Sequence, residues 1–413
     1  MGLLWLYVAF CVLYLLRLLF HALCWRSHLP PLAPKAPVAL PQNLNLPMRF
    51  VILFPAHNEA LLLGEILEGL ESLDYPQASY RVIVIADNCS DNTAEIAREK
   101  GVLVWERTNP DERGKGYALQ WAIERLTTLR TDSTADSVLA EYEALVICDA
   151  DTLLSSNLLW EFSEALQGGG KVLQARYEVL NVMESWRTRL MSCALALVHI
   201  VKPLGRERLR LSEGLKGNGM AFAREVVEKI PWGASITEDI EYSLSLCRLG
   251  YRVQFVSSAA VWAQMPTNAA QSRSQRQRWE GGRYHLIFTV APALLKESFK
   301  SRSRILRDRA IEMLIPPFAE MFALPILLGG VSLLLGFFLK SRVGYAFAGA
   351  WGLLLVLQAL YLILGLWVAR VPAGVAWAVL GAPFYIVWKL GLYGAMLLRR
   401  TAGGWKRTER RAL

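Results

Sequence analysis

The sequence predicts an α/β domain, a mostly parallel mixed sheet with helices on both faces, joined to transmembrane and interfacial helices. Three observations carry this expectation. Between Arg49 and Trp262, six short runs rich in β-branched or aliphatic residues alternate with helical stretches. Several of those runs are apolar at every position, and a strand needs two apolar faces when helices cover both sides of its sheet. Outside this region the chain turns strongly apolar: as a whole it is 54% hydrophobic and 20% charged, where soluble proteins average about 45–50% and about 25%.

Residues Leu3–Leu23 form an apolar run broken by Arg17 and His21, long enough to cross about 30 Å of hydrocarbon. A secretory signal would begin with cationic residues and end at a small-residue cleavage site. Neither feature is found, so residues 1–24 are expected to be a retained transmembrane helix. Residues 25–48 carry six prolines, Pro30, Pro31, Pro34, Pro37, Pro41 and Pro47, the composition of an extended, semi-rigid linker. A soluble domain is expected at 49–283, with strands at Phe50–Phe54, Val82–Ala86, Val102–Trp105, Ala144–Cys148, Lys171–Tyr177 and Arg252–Ser257. Residues 284–312 mix Leu, Ile and Phe with Lys and Arg, the pattern of an amphipathic segment lying on a membrane. Three apolar blocks, 313–339, 344–369 and 374–398, are expected to supply C-terminal transmembrane helices within 313–398, followed by a basic tail at 399–413.

The net charge of +9 is local. Residues 296–310 hold six Lys or Arg against Glu297 and Asp308, and residues 399–413 hold six against Glu409. Both stretches flank apolar runs, which makes the membrane surface the partner and argues against nucleic acid. Lys and Arg are absent before Arg17, while Arg26, Lys35 and the 296–310 stretch lie on the domain's side, so the positive-inside rule expects a cytoplasmic domain. Three full crossings after the domain would leave the basic tail outside, against the same rule. Either the last block, with Pro383 and Lys389, lies in the interface or re-enters, or Pro316-Pro317 breaks the first block, and three or four crossings both stay open. Six cysteines, Cys11, Cys24, Cys89, Cys148, Cys193 and Cys247, lack the paired spacing of zinc or redox sites and are expected to be free thiols in a reducing compartment.

Polar residues cluster where the predicted strands end, the edge at which open α/β sheets bind ligands. The first strand runs into Pro55-Ala56-His57-Asn58-Glu59, expected to open directly into a helix, with Asn58 as a simple helix cap the structural alternative. The second runs into Asp87-Asn88-Cys89-Ser90-Asp91-Asn92-Thr93. Ser90 or Asp91 is expected to cap the next helix, which leaves Asp87 to accept hydrogen bonds from a base or ribose. Arg113-Gly114-Lys115-Gly116 opens a helix, where glycines and the helix N-terminus favour an anion; a solvated loop is the alternative. In Cys148-Asp149-Ala150-Asp151-Thr152, period-two geometry sends both aspartates to one side of an extended chain. Two such carboxylates repel unless a cation joins them, and their oxygens suit Mg²⁺ or Mn²⁺, which also bind a diphosphate; two solvated turn aspartates are the alternative. Thr237-Glu238-Asp239 opens a helix running to about Arg248; first-turn acids are ordinary, yet general-base chemistry needs an acid in the crevice. Gln275, Arg278 and Trp279 share one helix face in Gln275-Arg276-Gln277-Arg278-Trp279, Arg278 offering a fork for phosphate oxygens and Trp279 a flat wall for a sugar ring.

Taken in order, P-x-x-N-E, the Asp87 turn, R-G-K-G, D-A-D, T-E-D and Q-R-Q-R-W resemble the membrane-bound family-2 glycosyltransferases of the GT-A type. That family includes cellulose, hyaluronan and poly-N-acetylglucosamine synthases and ceramide glucosyltransferases. The resemblance implies a GT-A nucleotide-diphospho-sugar transferase domain over 49–283. It implies inverting, metal-dependent transfer from a UDP-sugar to a lipid or lipid-linked acceptor, at the cytoplasmic face of a bacterial inner membrane. By the same resemblance Pro55, Asn58, Glu59, Asp87, Lys115 and Asp149 bind the donor, and Asp149 and Asp151 hold Mg²⁺ or Mn²⁺. Asp239 matches the catalytic base, while Glu238, Gly217, Asn218, Gly219, Gln275, Arg278 and Trp279 match the acceptor and diphosphate region. Asn88 stands where many relatives carry a second aspartate, and the membrane region is shorter than processive synthases use to line a channel. The competing readings are a processive exopolysaccharide synthase of the same superfamily and, from another class, a non-catalytic nucleotide-sensing membrane scaffold.

Overall fold

Alternate residues of the first strand face opposite helical layers. Phe50, Ile52 and Phe54 pack with Leu63, Ile66, Leu158 and Phe162 of the helices Leu63–Gly69 and Leu158–Gln167. Val51 and Leu53 pack with Leu119, Ile123 and Leu126 of the helix Lys115–Leu129 and with Leu246 of the helix Glu238–Arg248. The period-two alternation of a strand therefore fills two cores at once, which is why these runs are apolar throughout. The computed structural model describes residues 1–31, 33–34, 46–130, 134, 136–233, 238–267 and 287–386.

Eight strands form one sheet: β1 (Phe50–Ala56), β2 (Tyr80–Asp87), β3 (Leu103–Arg107), β4 (Ala144–Ile147), β5 (Thr152–Leu154), β6 (Val172–Val179), β7 (Met220–Ala223) and β8 (Val253–Ala263). Their order is β3-β2-β1-β4-β7-β6-β8-β5. β1 runs parallel to β2 and β4, β2 to β3, and β6 to β8. β7 is antiparallel to β4 and β6, and β5 to β8. All six expected strands are present, with shifted ends. β4 stops at Ile147, which leaves Cys148 in the turn that follows. β8 continues through Ser257-Ser258 to Ala263, with its register against β6 shifted between Ala175 and Arg176. β5 and β7 are additions, too short at three and four residues to show a period.

Three helices among the described residues are long and apolar enough to cross a membrane: Gly2–Cys24, Phe318–Phe338 and Arg342–Val368. At 1.5 Å per residue their lengths are about 30–40 Å. The expected block at 313–339 divides at Pro316-Pro317: the helix Arg304–Leu314 ends before it, and Pro317 holds the cap position of Phe318–Phe338. A shorter apolar helical stretch, Ala373–Ile386, follows the last of the three, and Lys389 and the basic tail lie outside the described residues. Leu6, Phe10, Leu13 and Phe20 line the open side of the first helix, while Val8, Leu15 and Leu18 pack inward. That inner side meets the helix Lys202–Arg208 so closely that a Cβ on Gly205 would fall 2.3 Å from the Leu18 carbonyl oxygen. Any side chain there would push the two backbones apart.

The segment expected to be amphipathic folds as two helices, Ala291–Lys300 and Arg304–Leu314. Lys296, Lys300, Arg302 and Arg304 are exposed. Asp308 and Arg309, however, are each 5% exposed and belong to the interior, so the basic stretch is not uniformly a surface charge. All six cysteines are free.

Candidate active site

The carboxyl ends of β1, β2 and β4 bring most of the polar motifs to one edge of the sheet. After β1 the chain turns before the helix Leu63–Gly69 begins, so the expected direct opening into a helix gives way to a loop. Asn58 lies in the left-handed region, at φ 56, and clasps the β2 loop instead of capping a helix. Its Nδ2 donates to Ser90 Oγ at 3.1 Å, and its Oδ1 accepts from the Ser90 N–H at 2.7 Å. The Glu59 N–H donates to Thr93 Oγ1 at 2.8 Å, and His57 Nδ1 donates to the Asp87 carbonyl at 2.7 Å. Pro55 is half-buried within β1. Of the two candidate caps Asp91 acts at the helix Thr93–Glu99, its Oδ1 accepting from the Thr93 N–H at 3.1 Å; Asn92 at the cap position makes no side-chain bond.

Asp87 is 5% exposed and already engaged. Its Oδ1 accepts from Arg107 Nη1 at 2.8 Å and from Asn88 Nδ2 at 3.1 Å. Arg107 also donates to the Glu112 carbonyl and carboxylate. The two charges meet because Asp87 and Arg107 are register partners at the ends of β2 and β3. Arg107 thus joins the candidate site through Asp87, and the motifs did not mark it; a basic residue ending the strand beside an acid-ended one was the available signal.

At the centre of the edge lies Lys115, the first residue of its helix. Its Nζ donates to Asp149 Oδ1 at 2.5 Å and to the Gly217 carbonyl. Asp149 and Asp151 do not share one side of an extended strand. They sit in a turn closed by the Thr152 N–H on the Asp149 carbonyl at 3.1 Å, which leaves Asp149 partly exposed and Asp151 buried. Asn218, fully buried, fixes that turn: its Oδ1 accepts from the Asp149 N–H at 3.1 Å and its Nδ2 donates to Thr152 Oγ1 at 2.8 Å. Gly217 has φ +76, a conformation natural to glycine, and a Cβ there would lie 3.4 Å from Asp239 Oδ2 and 3.9 Å from Lys115 Nζ. Asp149, Lys115, Gly217 and Asp239 therefore form one cluster. Gly219, at φ +64, leads into β7. Buried Gln174 staples this loop, accepting from the Lys216 N–H at 2.9 Å and donating to the Asn218 carbonyl at 2.8 Å; nothing in its local sequence announced the role. Thr237, Gln275, Arg278 and Trp279 lie outside the described residues.

The electrostatics follow from this crowding. Burial raises the Asp239 carboxyl, and Asp149 adds to the rise, more than the Ile240 N–H, Lys115 and Lys216 lower it. Burial and then Asp239 push the neighbouring Glu238 up to about 7. Burial alone would lower Lys115, but its pairing with Asp149 leaves the ammonium above its ordinary value. Cys148 is no nucleophile, because burial pushes its thiol up to about 12. Carboxyls raised by burial at a ligand-binding edge are what acid–base chemistry uses. No cluster of three or more His, Cys, Asp or Glu able to hold a metal occurs among the described residues. Hard dications are commonly held by one or two carboxylates and complete their shell with substrate phosphates. Asp149, partly exposed beside its bond to Lys115, offers oxygens of that kind, and buried Asp151 follows two residues on in the same turn.

The profile described as "Glycosyltransferase like family 2" matches residues 47–282, more than half of the chain. The chain belongs to this family. Its fold is of the GT-A type, with the mixed sheet and helices described above. The family-2 chain is 26% identical over 278 residues to "Probable glycosyltransferase YdaM" of Bacillus subtilis (strain 168), which covers 65% of it and 62% of that relative. It is 27% identical over 260 residues to "Beta-monoglucosyldiacylglycerol synthase" of Trichormus variabilis, covering 61% of it and 52% of the relative. The chain thus spans between about half and just under two thirds of the length of these curated relatives. A solved mannosyltransferase from Pyrobaculum calidifontis, in complex with GDP-Man and Mn²⁺, superposes with a TM-score of 0.46 at 16% identity, over 86% of this chain and 99% of that one.

Proposed function

We propose that this family-2 chain moves a single sugar from a UDP-sugar to a lipid or lipid-linked acceptor at the cytoplasmic face of a bacterial inner membrane, with inversion at the anomeric carbon. The observation that carries the proposal is the meeting of Asp149, Lys115, Gly217 and Asp239 at one edge of the sheet, in a chain that also carries three candidate membrane spans. A glycolipid acceptor is supported by the likeness to a beta-monoglucosyldiacylglycerol synthase. Exposed Lys296, Lys300 and Arg304 support docking on an anionic surface.

In this proposal the donor's base or ribose meets Asp87, whose Oδ1 is held by Arg107 and Asn88 so that the carboxylate is already aimed. Pro55, Asn58 and Glu59 line the adjoining loop. Asp149 and Asp151 would hold Mg²⁺ or Mn²⁺ against the diphosphate, and such an ion supplies neutralisation of charge on the leaving nucleotide. Lys115 adds a positive charge beside Asp149. Asp239 accepts the proton of the acceptor hydroxyl as that oxygen bonds to the anomeric carbon. The bond from that carbon to the diphosphate oxygen breaks, and its electron pair leaves with the nucleotide. One base and one in-line displacement invert the centre. Gly217, Asn218, Gly219 and Glu238 shape the acceptor side, and the family resemblance assigns Gln275, Arg278 and Trp279 to the acceptor and diphosphate as well.

The test is a set of labelled UDP-sugars offered to the full chain in mixed micelles, with membrane lipid extract as acceptor and Mg²⁺ or Mn²⁺ present. The expected product carries one sugar per acceptor and disappears on chelation. A ladder of products would instead establish the processive synthase, and donor binding without transfer would establish the nucleotide-sensing scaffold.

The pH dependence has a definite sign. A base works only when deprotonated, so a raised carboxyl moves the acid limb of kcat/KM upward. Asp239 is raised, and Glu238 sits at about 7 beside it. Activity is expected to be full at alkaline pH and to fall on acidification at a pH above the ordinary carboxylate value of about 4. An acid limb at or below the ordinary carboxylate value of about 4 would remove Asp239 as the base.

A further inference from the structure

The loop that carries Gly217 into the site begins at a buried ion cluster beside the membrane. Arg206 has 0% exposure. Its Nε donates to Asp308 Oδ2 at 3.0 Å, its Nη1 to Glu312 Oε1 at 2.8 Å and Glu213 Oε2 at 3.1 Å, and its Nη2 to the Tyr14 hydroxyl at 2.9 Å. The Tyr14 hydroxyl donates onward to Asp308 Oδ1 at 2.8 Å. Lys202 and Arg309 pair with Glu312, and Lys216 Nζ pairs with Glu213 Oε1 at 2.7 Å. Four segments thus converge: the first membrane helix, the helix Lys202–Arg208, the helix Arg304–Leu314 and the loop 209–219.

Buried charge is a poor way of adding stability, since well-packed apolar side chains do as well or better. A satisfied polar network does fix geometry, because each member accepts only a narrow set of positions. Here the fixed object is the loop. Glu213 is anchored on one side by Arg206 and on the other by its own N–H on the Val253 carbonyl at 2.9 Å. Gly214 has no side chain where a Cβ would lie 2.6 Å from Arg309 Nη2, so the guanidinium closes against the backbone. Three residues past Gly214, Gly217 presents its carbonyl to Lys115, and a Cβ there would lie 3.4 Å from Asp239 Oδ2.

We propose that Glu213 and Tyr14 are positioning residues, through which the first membrane helix and Arg206 set the place of the Gly217–Asn218 loop in the active site. The membrane helix is then part of the catalytic scaffold as well as an anchor. This inference rests on the transferase reading.

Full-length protein in nanodiscs tests it with Tyr14→Phe, which deletes one hydroxyl, and Glu213→Gln, which keeps shape and removes charge. Ile66→Val, in the core behind the sheet, serves as a destabilised control, and Glu213→Asp as the conservative rescue. Two quantities are read: hydrogen exchange of the 213–219 amides, and kcat with donor KM. Both test variants are expected to speed loop exchange and lower kcat by roughly tenfold at nearly constant donor KM, because small displacements of reacting groups cost one to two decades. Glu213→Asp regains part of the kcat, and Ile66→Val changes neither loop exchange nor kcat. Wild-type kcat in both test variants overturns the proposal, whatever their melting temperatures. If the parent chain transfers no sugar at all, the transferase reading fails first. Loop exchange unaltered by Tyr14→Phe then ends the inference separately.

Discussion

Replacing Asp239 with asparagine is expected to lower sugar transfer by roughly 10²–10⁴-fold, the contribution of a positioned general base, while donor affinity stays near that of the parent chain. Asparagine keeps the size of the side chain and leaves an oxygen for the Ile240 N–H, which Asp239 Oδ1 accepts at 2.8 Å. What it loses is the lone pair that takes the proton. The donor is bound, in the proposed reading, by Asp87, Lys115 and Asp149, none of which is touched, so kcat falls and the dissociation constant does not. Initial rates at saturating donor and calorimetric titration with the UDP-sugar separate the two. Glu238→Gln is the informative companion, because Glu238 is the adjacent carboxyl and sits near neutrality. A larger loss in Glu238→Gln than in Asp239→Asn would move the base by one residue. Near-normal turnover in Asp239→Asn would abolish the assignment.

The sequence made the frame of this site visible because its physics is local. A strand with Phe50, Ile52 and Phe54 on one face and Val51 and Leu53 on the other announces two helical layers without any partner being known. The long apolar helices announce themselves by length. What stayed hidden depends on pairings between distant residues. Asp87 read as an acid free to meet a ligand, yet Arg107 claims one of its oxygens through the parallel register of β2 and β3. Asp149 and Asp151 read as a same-side pair, but the strand ends at Ile147 and a turn separates their environments. Asp308 and Arg309 entered the charge count as surface groups, and the fold buries both. Gln174 and Glu213 carry no motif, since a buried hydrogen-bond hub is defined only by the backbone brought around it. In each case the residue type was legible and its partner was not.

Arg206→Met is expected to be the most destabilising single substitution where the long apolar helices meet the α/β domain, at about 3 kcal/mol, the lower end of the cost of breaking a buried ion pair. The placement at that lower end follows from the partners left behind. Glu312 keeps Lys202 and Arg309, and Glu213 keeps Lys216. Asp308 keeps the Tyr14 hydroxyl but loses its cation. The uncompensated charge is therefore mainly at Asp308, and Arg206→Met combined with Asp308→Asn should recover much of the loss, a coupling that a double-mutant cycle reads directly. Melting in detergent as a function of pH provides the second check. Burial would push the Glu213 and Glu312 carboxyls up, yet Lys216 and Arg206 hold the first below its ordinary value, and Arg206, Lys202 and Arg309 hold the second well below. A carboxyl lowered in the folded state adds stability above its unfolded value and loses it as pH falls through the folded one. Part of that stabilisation comes from Arg206, so the parent chain should lose more stability on acidification than Arg206→Met does. The gap between their melting temperatures is expected to hold down to the ordinary carboxylate value of about 4 and to narrow as pH falls below it, and a constant gap would mean that Arg206 acts there as packing and not as charge.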